Sequence, residues 1–123
     1  MATDREHLRQ AEHNQHCFDA LDQAHFPDWA ATIAFYKAVH LVQALFQLTG
    51  DSCGSHSARN DILKKKFPRI WRQYHPLYSF SRLARYWCLK VKPEHVQQIV
   101  RRLRKLEKEV KLEHDAHVAK RAS

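Results

Sequence analysis

Apolar side chains recur along most of this chain at intervals of three and four residues, the spacing that gathers them on one face of an α-helix. Leu8, Ala11, Phe18 and Leu21 form the first such stripe. Thr3 followed by Glu6 has the form of a capping box, which predicts a helix over 4–24 with a polar, acidic outer face. Pro27 and Asp28 suit a helix start, and the run WAATIAFYKAVHLVQALFQL after them is apolar on most sides until Gly50 ends it. A helix of that kind belongs in the middle of a bundle. Ser55 or Ser57 is placed to cap a third helix reaching Phe67, where Pro68 imposes a break or a kink. The helical pattern resumes through Trp71 and Tyr78 to Tyr86, as one kinked helix or two. A last helix opens at Pro93, and its Val96, Ile99, Leu103, Leu106 and Val110 form the packing seam of a long antiparallel bundle helix. Beyond Leu112 the apolar face fades, and residues 113–123 are expected to fray.

These elements describe an all-α protein, an antiparallel up-and-down bundle of four to five helices. A single domain is expected over 1–123, with its ordered core at 5–112. Gly50 and Gly54 are the only glycines, β-branched residues are scattered, and 123 residues suffice for one core without covalent staples. Cys17, Cys53 and Cys88 are odd in number and lack CxxC spacing, so a reducing cytoplasm fits better than a disulfide framework. Cys17 and Cys88 are expected to pack as small apolar groups, and Cys53 beside Gly54 is the candidate reactive thiol. The N-terminal run ATDREHLRQ has no apolar signal core, and no stretch approaches the ~18 uninterrupted apolar residues of a membrane span.

Charge changes the picture. The net charge is +8, yet residues 1–50 carry −3, residues 51–90 carry +7 and residues 91–123 carry +4. The middle third also holds many of the aromatics and two polar clusters, SHSARN (55–60) and SFSRLARY (79–86). A surplus so localised predicts a positive surface whose natural partner carries phosphate.

Several side chains are placed to meet such a partner. On the second helix Trp29, Ile33, Tyr36 and His40 share a stripe, so the imidazole needs a polar partner there; Tyr36 and His40 either belong to the core or wall a polar pocket. His56 and Arg59 stand three apart at a helix N-terminus with Asn60 beside them, where free amides and a guanidinium favour an anion. Arg82 and Arg85, also three apart, can converge on one phosphate while Tyr78 and Tyr86 stack on a base. Lys64, Lys65 and Lys66 cannot share one helical face and contribute a diffuse field. His13 with His16 and His114 with His117 lack further ligands at a recognised spacing, so no metal and no cofactor is expected. Trp71, Tyr74 and Trp87 serve either a core or a dimer interface.

The order PDWA, FYKAVH, SHSARN and YSFSRLARYW, over residues 5–112, resembles the HEPN (higher eukaryotes and prokaryotes nucleotide-binding) domain superfamily, in particular its small stand-alone prokaryotic members. The resemblance implies a four- or five-helix bundle, frequent dimerisation, and nucleotide or RNA binding, often within toxin-antitoxin or other defence systems. It also implies, as partner, a cognate antitoxin or nucleotidyltransferase-like protein. Many members are metal-independent endoribonucleases with an Arg, four to six intervening residues and a His, often opening Arg-Asn. Arg59-Asn60 matches that opening, but Lys64, Lys65 and Lys66 occupy the positions where the His belongs. Arg69 to His75 satisfies the spacing, bounded by Pro68 and Pro76. The expectation is therefore a dimeric binding module holding RNA or a nucleotide through Tyr36, His40, His56, Arg59, Asn60, Arg82, Arg85 and Tyr86. The alternatives are an endoribonuclease using Arg69 and His75 (or His56 as base), and a helical interaction protein with an acidic partner.

Overall fold

The computed structural model describes residues 2–88 and 90–122. They form an antiparallel all-α bundle of five helices: α1 (Asp4–Ala20), α2 (Pro27–Thr49), α3 (His56–Lys66), α4 (Pro68–Tyr86) and α5 (His95–Ala122). The capping box is present in full, with Glu6 N–H donating to Thr3 Oγ1 at 3.1 Å and Thr3 N–H to Glu6 Oε1 at 3.2 Å. α1 stops at Ala20 instead of 24 because Asp22 organises the next residues as a turn, accepting from the His25 backbone at 3.1 Å and pairing with its ring at 2.7 Å. Gly50 ends α2 in the left-handed region at φ 73°, where a side chain would be strained. Ser55, of the two serines, caps α3, accepting from Ala58 N–H at 3.0 Å.

Pro68 makes two helices of the third pattern, with Phe67 serving as the C-cap of α3 and the N-cap of α4. Pro76, by contrast, does not interrupt α4. Its ring leaves the Arg72 carbonyl without an intrahelical donor, but Arg72 lies on the exposed side, where water can serve.

α2 is the centre, packing against α1, α4 and α5, while α4 also packs against α5 and α3. Ala30, Ala31, Ala34, Ala38 and Ala44 are buried along it and let the neighbouring helices approach closely. All five residues of the α5 seam are buried, as that pattern requires. The helix then continues to Ala122, beyond the end of its apolar seam. Two tertiary contacts hold this end: His114 Nε2 meets Asp4 Oδ2 at 3.2 Å, and Arg121 Nη2 donates to the Leu48 carbonyl at 2.7 Å.

One expectation is corrected. Cys17 and Cys88 are exposed and do not pack as apolar groups. Tyr74 is wholly buried, Trp71 packs half-buried against the core, and Trp87 remains exposed. The sequence pattern also gave no sign that Lys37 would be buried inside α2. Its ammonium donates to Gln15 Oε1 at 2.6 Å and Glu107 Oε1 at 3.1 Å, tying α1 and α5 to the central helix. α2 has the length and hydropathy of a membrane-crossing helix, but 67% of its apolar window is buried within the bundle.

Candidate functional site

The Phe35 ring is the floor on which His56 and Arg85 meet. It is fully buried, and His56 of α3 and Tyr74 and Tyr78 of α4 contact it at centroid distances of 5.5, 5.6 and 5.7 Å. The Arg85 guanidinium lies over the same ring at 5.8 Å and over Tyr86 at 5.5 Å. Arg82 lies over Tyr78 at 5.8 Å and Tyr86 at 5.4 Å, and its Nη1 donates to the Tyr78 hydroxyl at 3.3 Å. The helical register explains the convergence. Tyr74, Tyr78, Ser81 and Arg85 recur every three or four residues on the side of α4 that faces the bundle.

Arg59 sits deepest, at 8% exposure. Its Nη1 donates to His56 Nδ1 at 2.8 Å, and the Gln43 amide oxygen, turned toward the guanidinium, accepts from Nη2 at 2.8 Å and Nε at 3.2 Å. Both partners are neutral. None of the ion pairs among the described residues involves Arg59, Arg82 or Arg85. A buried or half-buried guanidinium ordinarily has a carboxylate, because the interior penalises an uncompensated charge. Arg85 Nε, Asn60 Oδ1, Tyr74 Oη and Ser81 Oγ are buried without a hydrogen-bond partner, so the region is short of counter-groups as well as counter-charge. Burial pushes the Tyr74 hydroxyl up to about 12; the nearby Arg59 charge pulls the other way, though no group reaches that oxygen in hydrogen-bonding geometry.

The Arg59 contact also fixes the state of His56. A guanidinium can only donate, so Nδ1 must be the unprotonated nitrogen and the neutral ring carries its hydrogen on Nε2. Burial, then the charges of Arg59 and Arg85, hold the His56 pKa below the ordinary value and keep the ring in this form. His56 therefore presents an N–H donor to a ligand, beside the N-terminus of α3.

The remaining candidates divide. His40 is half-buried and faces His7 of α1, Nδ1 to Nδ1 at 3.0 Å; one ring must donate and the other accept. His40 thus meets the demand for a polar partner and reaches the Arg59 cluster only through its field. Tyr36 is exposed and touches the floor through the Phe35 ring at 5.9 Å. Asn60 lies beside Arg59 on α3 with its oxygen unpartnered. Arg69 and His75 are not brought together: both are exposed, and six residues of helix turn them about 120° apart. His75 stacks on Trp71 at 4.9 Å. Among the described residues no group of three His, Cys, Asp or Glu side chains is arranged to hold a metal.

Sequence reading missed His7, Phe35 and Gln43. A signal existed for Gln43, since Tyr36, His40, Gln43 and Gln47 form a polar stripe at helical spacing on an otherwise apolar helix. Two grooves of about 600 Å³ are also present, the second lined by His40 and by Gln43, the acceptor for Arg59. One runs between α1 and α5 over Lys37 and is lined by Glu12, Asp19 and Glu107 as well as Arg104, a mixed charge ill suited to a phosphate. The other lies over His7, His40 and Cys53.

The histidines make stability pH-dependent. Burial is the first cause of the lowered pKa of His7, His40 and His56, with Arg59 adding to the effect at His40 and His56. Above about pH 6.5 these rings are neutral in both folded and unfolded chains, and the linkage contributes nothing. Below it, the unfolded chain takes up protons that the folded chain refuses, so stability falls as pH falls until the folded rings titrate. The melting temperature is expected to drop between about pH 7 and pH 5.5, and a His7→Gln/His40→Gln variant to show a shallower drop. An unchanged slope in that variant would remove the pair from this account.

In comparisons with known proteins, no family model matches this chain and no curated protein sequence matches it.

Proposed function

We propose that the chain is a HEPN-like module that binds RNA or a nucleotide through phosphate, held by Arg59, Arg82, Arg85 and the Nε2–H of His56, with Tyr86 and Tyr36 available to a base. The observation that carries this reading is the placement of Arg82 and Arg85 over aromatic rings, with Arg59 bonded to His56 beside them, and no carboxylate paired to any of the three among the described residues. A phosphate would supply the missing charge and the missing acceptors together. The setting proposed with it is a cytoplasmic homodimer in a toxin-antitoxin or defence system, meeting a cognate antitoxin or a nucleotidyltransferase-like protein.

The geometry favours holding over cutting. A general base must offer a lone pair to the ribose 2′-hydroxyl, and the His56 lone pair is already occupied by Arg59. Arg69 and His75 diverge by about 120° around α4, with the exposed Arg72 between them. The test is incubation with labelled single-stranded RNA in EDTA, read for mobility shift and for cleavage. A salt-sensitive shift with intact RNA is expected. Cleavage lost in Arg59→Ala or His75→Ala would replace this reading with a metal-independent nuclease, and neither signal would defeat both.

A further inference from the structure

Beyond the Arg59 cluster, the outer edge of α4 carries rings and cations along its length. Trp71, His75, Tyr78, Arg82, Arg85 and Tyr86 follow at helical spacing within an arc of about 100°, and Trp71 to Tyr86 covers about 22 Å of helix. Ring-and-cation contacts stand at both ends of it, Lys64 with Trp71 and the Arg82 and Arg85 pair with Tyr78 and Tyr86. Lys64 Nζ lies 5.0 Å from the Trp71 centroid, and His75 stacks on that indole at 4.9 Å. Tyr78 meets His56 at 6.0 Å, and Arg82 bridges Tyr78 to Tyr86. His75, Arg82 and Tyr86 are exposed, while Trp71, Tyr78 and Arg85 are half-buried, so the rings are anchored yet open on one side. Residues 62–93 hold nine Lys/Arg and no Asp/Glu.

A mononucleotide requires one ring and one phosphate site. Ring-and-cation groups at both ends of this length match several successive bases and phosphates, and only an unpaired strand offers its base faces; a duplex stacks them internally and presents phosphates alone. We propose that the ligand is an unpaired polynucleotide strand of about four to six nucleotides laid along α4, its phosphates drawing Lys64, Arg82 and Arg85 off the rings and its bases taking their place on Trp71, Tyr78 and Tyr86. This rests on the reading that the Arg82 and Arg85 cluster holds phosphate, and it extends the site to Trp71, His75 and Lys64.

Fluorescence anisotropy with labelled oligouridylates tests it. A hexanucleotide is expected to bind at least ~10-fold more tightly than a dinucleotide, and more tightly than a blunt RNA duplex. Lys64→Gln/His75→Gln, which alters two exposed side chains, should erase most of that length dependence with an unchanged melting temperature. Equal affinity for the dinucleotide and the hexanucleotide would overturn the strand and leave the phosphate site standing. Duplex binding as tight as that of the single strand would overturn the stacking. Binding of neither oligomer would overturn the strand and the phosphate site together.

Discussion

Replacing Arg82 and Arg85 together by Gln is expected to lower affinity for single-stranded RNA at least ~100-fold while moving the melting temperature by only a few degrees. A hydrogen bond to a charged group contributes about 1.5–3 kcal/mol, so two guanidiniums on phosphate account for at least two decades of affinity. Folding gains little from the same pair. Neither has a carboxylate among the described residues, Arg82 is exposed, and Arg85 Nε is buried without an acceptor. Their contacts with the faces of Phe35, Tyr78 and Tyr86 stabilise by about 0.5–1 kcal/mol each where exposed, and relief of repulsion toward Arg59 offsets part of that. Melting curves and binding isotherms on the same sample separate the two effects. A large loss of melting temperature with binding retained would make these arginines structural.

Phe35→Ala should give the largest loss of stability, about 3–5 kcal/mol in urea denaturation, and should abolish binding with it. The ring has no exposed surface, and α3 and α4 meet α2 across it through His56, Tyr74, Tyr78 and Arg85. Its removal opens a cavity beneath His56, Tyr78 and Arg85, so their positioning fails along with packing. Tyr74→Phe is the contrasting case. It keeps the ring contact at 5.6 Å and deletes only a buried hydroxyl without a partner, so stability should hold or rise by about 1 kcal/mol. A cost below about 1 kcal/mol for Phe35→Ala would show that the ring is not the packing centre described here.

The fold was legible where local chemistry dictates it. Thr3 with Glu6, Ser55 and Gly50 each act on backbone groups within one turn, and each marks a helix end in the structure. The α5 seam was equally plain, because its period alone decides which side is buried. What the sequence could not show depends on distant partners. α5 outruns its apolar seam because Asp4 and the Leu48 carbonyl hold its end. Lys37 is buried because Gln15 and Glu107 arrive from two other helices. The helical pattern reads through Pro76 to Tyr86, and α4 runs so, because a single missing bond on the exposed side does not outweigh the burial of Ile70, Tyr74 and Leu77 on the other.

The candidate site divides along the same line. Clustering of His56, Arg59, Arg82 and Arg85 followed from spacing at helix ends and from charge density. The floor under His56 and Arg85 did not, since Phe35 is one apolar residue among many on α2. Nor did the role of His56, which depends on the direction of the Arg59 hydrogen bond. Arg69 and His75 match a family spacing in sequence, and six residues of helix set them about 120° apart.

The most direct measurement is the affinity of the protein for a labelled single-stranded RNA in EDTA, taken from about 50 to 200 mM salt for the unaltered chain and Arg85→Gln. A site made of unpaired guanidiniums on phosphate predicts intact RNA, a straight and steep fall of log affinity with log salt, and a slope shallower by about one in the variant. Binding indifferent to salt, or no binding at the lowest salt, would contradict it.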